Sequence, residues 1–188
     1  MNKIILASGS PRRKQLLEWA EVPFEIMVKE TNEAYPAGLK VEEVAIHIAR
    51  QKALAVQSAV DKDSIILAAD TIVVLNERII GKPKDREDAI NILSDLSGRQ
   101  HRVITGVVIA QDKKEVSFSD STDVYFHDLN SEQIGFYVDK YKPYDKAGAY
   151  ATQEWIGVVG IKSVKGDFYN VMGLPVSRVV KELKNINQ

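Results

Sequence analysis

Two periodicities of apolar positions run through the chain, and the points where one gives way to the other mark its elements. Residues 3–7 (KIILA) form a short apolar run that reads as a buried strand, broken by Ser8-Gly9-Ser10. Ser10 before Pro11 predicts a helix N-cap with proline at the first helical position, and a helix to about Trp19 carrying Leu16 and Leu17. A second strand is expected over 24–28, then a polar loop over 30–40 containing proline and glycine. Residues 41–60 predict a long helix with Val44, Ala45, Ile48, Ala49, Ala55, Val56 and Ala59 as its apolar stripe. Lys52 falls within that stripe, so its ammonium must either snorkel to water or enter a polar cavity.

Residues 64–69 are nearly all apolar and predict a strand ending at Asp70, with 71–75 continuing the extended pattern. A turn at 76–78 and Ile79-Ile80 complete a hairpin, which Gly81-Lys82-Pro83 ends. An amphipathic helix over 85–97 stops at Gly98. Strands over 101–110 and 115–126 follow, joined near Gln111-Asp112-Lys113. Asn130 and Gln133 make a capping box for a helix to about Tyr141, which Lys142-Pro143 stops. Residues 144–153 are small and irregular. Strands are expected over 155–164 and 168–172, with a turn at 165–167 between them, and Pro175 opens a last helix. Interleaved helices and strands of this kind predict a mixed α/β fold.

Composition narrows the chemistry. With 25 Lys plus Arg against 26 Asp plus Glu, the net charge of −1 argues against a general nucleic-acid binder. The absence of cysteine excludes disulfides, Cys-ligated zinc, iron–sulfur clusters and Cys nucleophiles. His47, His101 and His127 form no H-x-x-x-H pair, which argues against a histidine-rich metal site. The apolar stretch 4–7 is too short for a signal-peptide core, and no segment reaches the length of a membrane span. The expected setting is therefore cytoplasmic, away from membranes.

Several segments offer more specific chemistry. Ser8 to Arg13 (SGSPRR) leads from a strand into a helix N-terminus, where unpaired N–H groups attract anions. Arg12 and Arg13 oppose the helix dipole there unless an anion sits between them, although a plain cap with two solvated arginines fits the same residues. Asp70, at the expected end of an apolar strand, suits metal binding or proton abstraction from water, and equally a turn cap. Lys52 and Lys82 are candidate polyphosphate contacts, but Gly81-Lys82-Pro83 lacks the glycine and hydroxyl residue of a P-loop. Glu30 and Glu33 could supply a second carboxylate. Gln153 can offer both a donor and an acceptor to a base edge. Cations, carboxylates and an anion-binding turn, without a Cys or His-based triad, suit a metal-assisted reaction on a phosphate-rich ligand.

SGSPRR, Gln51-Lys52-Ala53, Ala69-Asp70-Thr71, Gly81-Lys82-Pro83, residues 145–150 (DKAGAY) and Gly173-Leu174-Pro175, in that order, resemble the Maf family of nucleotide pyrophosphatases over essentially the whole chain. The resemblance implies a fold similar to that of inosine triphosphate pyrophosphatases. That is a mixed, elongated sheet with flanking helices, one domain over 1–188 with two lobes around a central cleft. It implies hydrolysis of a nucleoside triphosphate to the monophosphate and pyrophosphate with a divalent cation (Mg, Mn or Co). Asp70 is then the proton acceptor, Glu33 and Asp70 the metal ligands, and Ser8, Arg13, Lys52 and Lys82 the phosphate-binding residues. Arg12, Thr71 and Gln153 match the dTTP/UTP type at three positions where the 7-methyl-GTP type carries tryptophan, glutamine and glutamate. The family name is also linked to septum formation. A nucleotide-binding regulator with a cell-division partner is therefore the competing implication, and a homodimer is a further expectation.

Overall fold

In the computed structural model, which describes residues 3–186, the chain divides into two compact units. The first takes the chain up to Thr71, then Thr105–Asp120, then Gly173 onward. The second takes Ile72–Ile104 and Ser121–Met172. Seven strands hydrogen-bond in the order β2-β1-β3-β5-β6-β7, with β4 paired to β3. They are β1 (Ile4–Leu6), β2 (Glu25–Ile26), β3 (Ile65–Leu75), β4 (Arg78–Ile80), β5 (Gln100–Gln111), β6 (Lys114–Phe126) and β7 (Ile161–Lys165). The helices are α1 (Pro11–Trp19), α2 (Val41–Gln57), α3 (Arg86–Leu96), α4 (Ser131–Tyr141), α5 (Trp155–Gly160), α6 (Phe168–Met172) and α7 (Val176–Asn185). The fold is the expected mixed α/β type.

In the first unit β1 pairs in parallel with both β2 and β3, and the register sets Leu6 beside Leu67. Ala7, Ala49, Ala53, Val56, Ile66, Ala68, Val108 and Ala110 form one core cluster. Small residues dominate it because α2 lies very close to β5. A Cβ on Gly106 would fall 2.2 Å from the backbone carbon of Ala45. Ala53 is buried in place of Ala55 and Ala59 in the expected stripe, and the helix ends three residues early, at Gln57.

The second unit has its own core, with Val73, Leu93, Leu96, Val103, Val124, Phe126, Ile134, Tyr137 and Tyr150 among its members. Here β3 and β4 form an antiparallel hairpin and β6 pairs antiparallel with β7. Asp85 caps α3 by accepting the Asp88 N–H, and Asn130 with Gln133 makes the capping box of α4.

Three expectations are corrected. Asp70 does not end a strand: it lies inside the 11-residue β3, because the β-branched residues after it continue the ladder. Residues 155–160 form a helix rather than the start of a strand. Gly157 lets that helix close against the Thr152 carbonyl, where any side chain would collide. Residues 168–172 are helical as well, because the Asp167 carboxylate accepts the N–H groups of Tyr169 (2.7 Å) and Asn170 (3.2 Å), capping the turn.

Two outcomes follow from this packing. Gly106→Ala should destabilise the protein by about 2–3 kcal/mol, measured by urea unfolding, because the methyl group meets backbone that cannot move aside. His101 is buried against Phe126 and Tyr150, and burial pulls its pKa down to about 4. The folded state therefore keeps the imidazole neutral where the unfolded chain protonates it. Stability should fall by about 3 kcal/mol as the pH drops from about 6.5 to about 4. Melting temperatures across that window should lose this component in His101→Asn.

Candidate active site

The first unit gathers most of the residues singled out in the sequence. In β3, Asp70 and Thr71 are the two half-buried positions in an otherwise buried strand. On α2, Lys52 stands one turn beyond Ile48 and Ala49, on the face that packs inward. Its ammonium reaches the Asp70 carboxylate at 2.6 Å and the Glu33 carboxylate at 2.8 Å. Lys52 thus neither snorkels nor packs as a hydrocarbon. Its side chain and that of Asp70 are 18% and 14% exposed, whereas Glu33 is 48% exposed, so only Glu33 faces water broadly. Lys52 thus bridges two carboxylates, and the charges of both also act on the Arg13 guanidinium.

A second hub forms around Arg13, in the first turn of α1. Its side chain is buried, and its Nε donates to the Gly173 carbonyl at 2.8 Å. Its Nη1 donates to Ser8 Oγ at 2.9 Å and its Nη2 to Thr71 Oγ1 at 3.0 Å. Thr71 Oγ1 also lies 2.9 Å from Thr105 Oγ1 and 3.3 Å from the Gly173 carbonyl. Burial lowers the Arg13 pKa, and the Asp70 charge works in the opposite direction, helping to hold the guanidinium ionised. The sequence suggested Arg13 as a phosphate contact and Thr71 as a specificity residue. The structure gives both a tie between the turn after β1, strand β3 and the segment at Gly173.

No side chain caps α1, and its first turn holds no acid. Pro11 at the first position has no N–H to donate, and Arg12 is half-buried beside it. The N-terminus therefore keeps the dipole character that favours an anion. Ser8 is buried beneath this turn and accepts the Ser10 N–H at 3.3 Å.

Glu33 and Asp70 suit a hard divalent cation in their donor type, since both present carboxylate oxygens to a single cationic atom. Among the described residues no group of three His, Asp or Glu side chains assembles.

Lys82 and Gln153 belong to the second unit, and both are exposed. The Gly81 carbonyl accepts the Gly148 N–H at 3.1 Å, joining the GKP segment to the 3-10 turn Ala147–Ala149. Gly148 has a φ of +72° and lies where a Cβ would meet Val73 at 2.9 Å, so glycine is required there on both counts. Thr105, Tyr137 and Glu154 carry no local signal in the sequence, and the DKAGAY block contains Lys146 without showing its partner Glu154. Tyr137 passes for a core residue on the apolar face of α4, and nothing local signals the partners of the others.

Among the described residues no helix is long and apolar enough to cross a membrane. Among solved structures, the Staphylococcus aureus Ham1 protein aligns with 66% of this chain and 72% of its own, at 14% identity and a TM-score of 0.47. Sequence relatives are far nearer. A dTTP/UTP pyrophosphatase of Cytophaga hutchinsonii is 51% identical over 97% of this chain and 84% of that protein. Its counterparts in Bacteroides thetaiotaomicron and Porphyromonas gingivalis are 45% and 46% identical, over 98% and 99% of this chain and 96% and 95% of theirs. The family described as Maf-like protein matches residues 3–186, every described residue of the two units, and the chain belongs to that family.

Proposed function

We propose that this protein hydrolyses dTTP and UTP to the monophosphate and pyrophosphate. The observation that carries the reading is the charge cluster of the first unit: Lys52 in contact with Asp70 and Glu33. The names of the relatives, dTTP/UTP pyrophosphatases, supply the substrate class.

In this reading Asp70 accepts a proton from the attacking water. The water oxygen bonds to the α-phosphorus, and the bond from that phosphorus to the bridging oxygen of the β-phosphate breaks. Pyrophosphate leaves with the electron pair. Negative charge grows on the nonbridging and leaving oxygens, and Lys52 is placed to exchange part of its carboxylate pairing for those oxygens. Ser8, Arg12, Arg13 and the N-terminus of α1 form the anion-binding corner of the same unit, and Lys82 adds a further phosphate contact. Arg13 also holds Ser8 and Thr71 in place, since three of its five N–H groups donate to protein oxygens. A divalent cation (Mg, Mn or Co) held by Glu33 and Asp70 would neutralise phosphate charge. Thr71, Arg12 and Gln153 are assigned to base selection. Gln153 offers the pyrimidine edge both a donor and an acceptor.

The deciding assay mixes the pure protein with Mg²⁺ or Mn²⁺ and a nucleotide panel that includes 7-methyl-GTP, and measures pyrophosphate. dTTP and UTP should be turned over in preference to the others. Asp70→Asn should lower kcat by about 100-fold or more with little change in KM, because it removes a group used in the transition state. Near-normal release by that variant would overturn the role of Asp70. Nucleotide binding without turnover by the native protein would favour a regulator instead. Gln153→Glu should weaken dTTP and UTP use by about tenfold in kcat/KM, since a carboxylate accepts but does not donate; unchanged kinetics would remove Gln153 from base recognition.

A further inference from the structure

The polar group of the second unit has no part in the proposed chemistry, yet it is built with care for its hydrogen bonds. Tyr137 lies on α4 and is fully buried. Its hydroxyl donates to a Glu154 carboxylate oxygen. The Glu154 backbone N–H donates in turn to the Ala151 carbonyl at 3.1 Å. Residues 151–154 therefore close as a β-turn with Thr152 and Gln153 at its corner. The phenol thus holds that turn through Glu154, the residue that closes it.

Other contacts fix the turn from the remaining sides. Lys146, only 9% exposed, pairs with Glu154 at 3.4 Å and with Asp145 at 2.7 Å. Thr152 is buried, and its carbonyl oxygen would stand 1.9 Å from any Cβ at position 157, a space that Gly157 leaves open. Of the two corner residues, only Gln153 is exposed. Burial, then the bond to Glu154, drives the phenol pKa well above its ordinary value, so Tyr137 keeps its proton and remains a donor.

We propose that Tyr137 is a positioning residue for base recognition: by holding Glu154, which closes the turn, it fixes the corner that presents the Gln153 amide. The proposal rests on the assignment of Gln153 as the base contact. A glutamine on an unclosed loop would lose backbone and side-chain freedom on meeting the base. A turn closed in advance has already lost most of it, and the contact is correspondingly tighter. The clamp concerns the base alone and makes no contribution to holding phosphate.

Tyr137→Phe tests this in the full chain, because it removes one oxygen and keeps the ring that stacks on Tyr141. The KM for dTTP should rise about tenfold, with kcat at saturation within about twofold of native. Inorganic triphosphate, which has no base, should inhibit with an unchanged Ki. Glu154→Gln keeps an acceptor for the phenol and should stay close to native in KM, whereas Glu154→Ala should behave like Tyr137→Phe. This second pair carries the test if Tyr137→Phe fails to melt cooperatively. An unchanged KM in Tyr137→Phe, or a KM and a triphosphate Ki that rise together, overturns the proposal. Gln153→Ala separates the two levels. If it leaves the KM unaltered, the assignment of the base contact falls and the clamp's role with it. If it raises the KM while Tyr137→Phe does not, only the clamp is overturned.

Discussion

A buried guanidinium must find acceptors among its neighbours, and Arg13 finds them on three stretches of chain that are remote in sequence. Ser8, Thr71 and the Gly173 carbonyl converge on it. Each of these groups would cost about 1–3 kcal/mol if left buried and unsatisfied. The requirement holds the turn after β1, the middle of β3 and the segment before α7 in one arrangement. Lysine would not substitute, because a single ammonium cannot reproduce the planar fork that meets three acceptors at once. The site of the first unit is thus fixed from below before any ligand is considered.

Above that tie, the same unit concentrates charge. Lys52 reaches Asp70 and Glu33 because α2 runs close to β5, a closeness that depends on the missing side chain of Gly106. Packing and chemistry are linked here through one residue: widening the contact between α2 and β5 would draw Lys52 away from β3. The small residues Ala45, Ala49 and Ala53 on the inward face of α2 belong to the same constraint. An ammonium between two carboxylates is held firmly, and the three groups fix one another's positions.

The second unit solves a different problem. Several of its buried polar groups pair with one another, as in the Tyr137–Glu154–Lys146 group and the bond of 2.7 Å between His101 and Tyr150. Such networks are rigid because each member depends on the others. Rigidity is what a recognition turn needs, whereas the first unit needs accessible charge.

Much of this was legible in the order of residues alone. Apolar runs and cap signals located β1, α1, α2, α3, β5, β6 and α4, since those signals act over a few residues. The ordered blocks from SGSPRR to GLP identified the family. Local pattern failed where an apolar run suits either period: residues 155–160 and 168–172 became helices because Gly157 fits beneath a carbonyl and Asp167 caps a turn. A cap at Asp167 is a local signal that the sequence carries; the fit of Gly157 beneath the Thr152 carbonyl is not. Side-chain partnerships lay further out of reach. That Lys52 meets Asp70, that Arg13 ties Ser8, Thr71 and the Gly173 carbonyl together, and that Tyr137 bonds Glu154 on another segment all depend on long-range packing. Sequence decided which groups were available and which short elements carry them; only the folded chain decided which of them meet, because a hydrogen bond is set by distance and angle in space rather than by separation along the backbone.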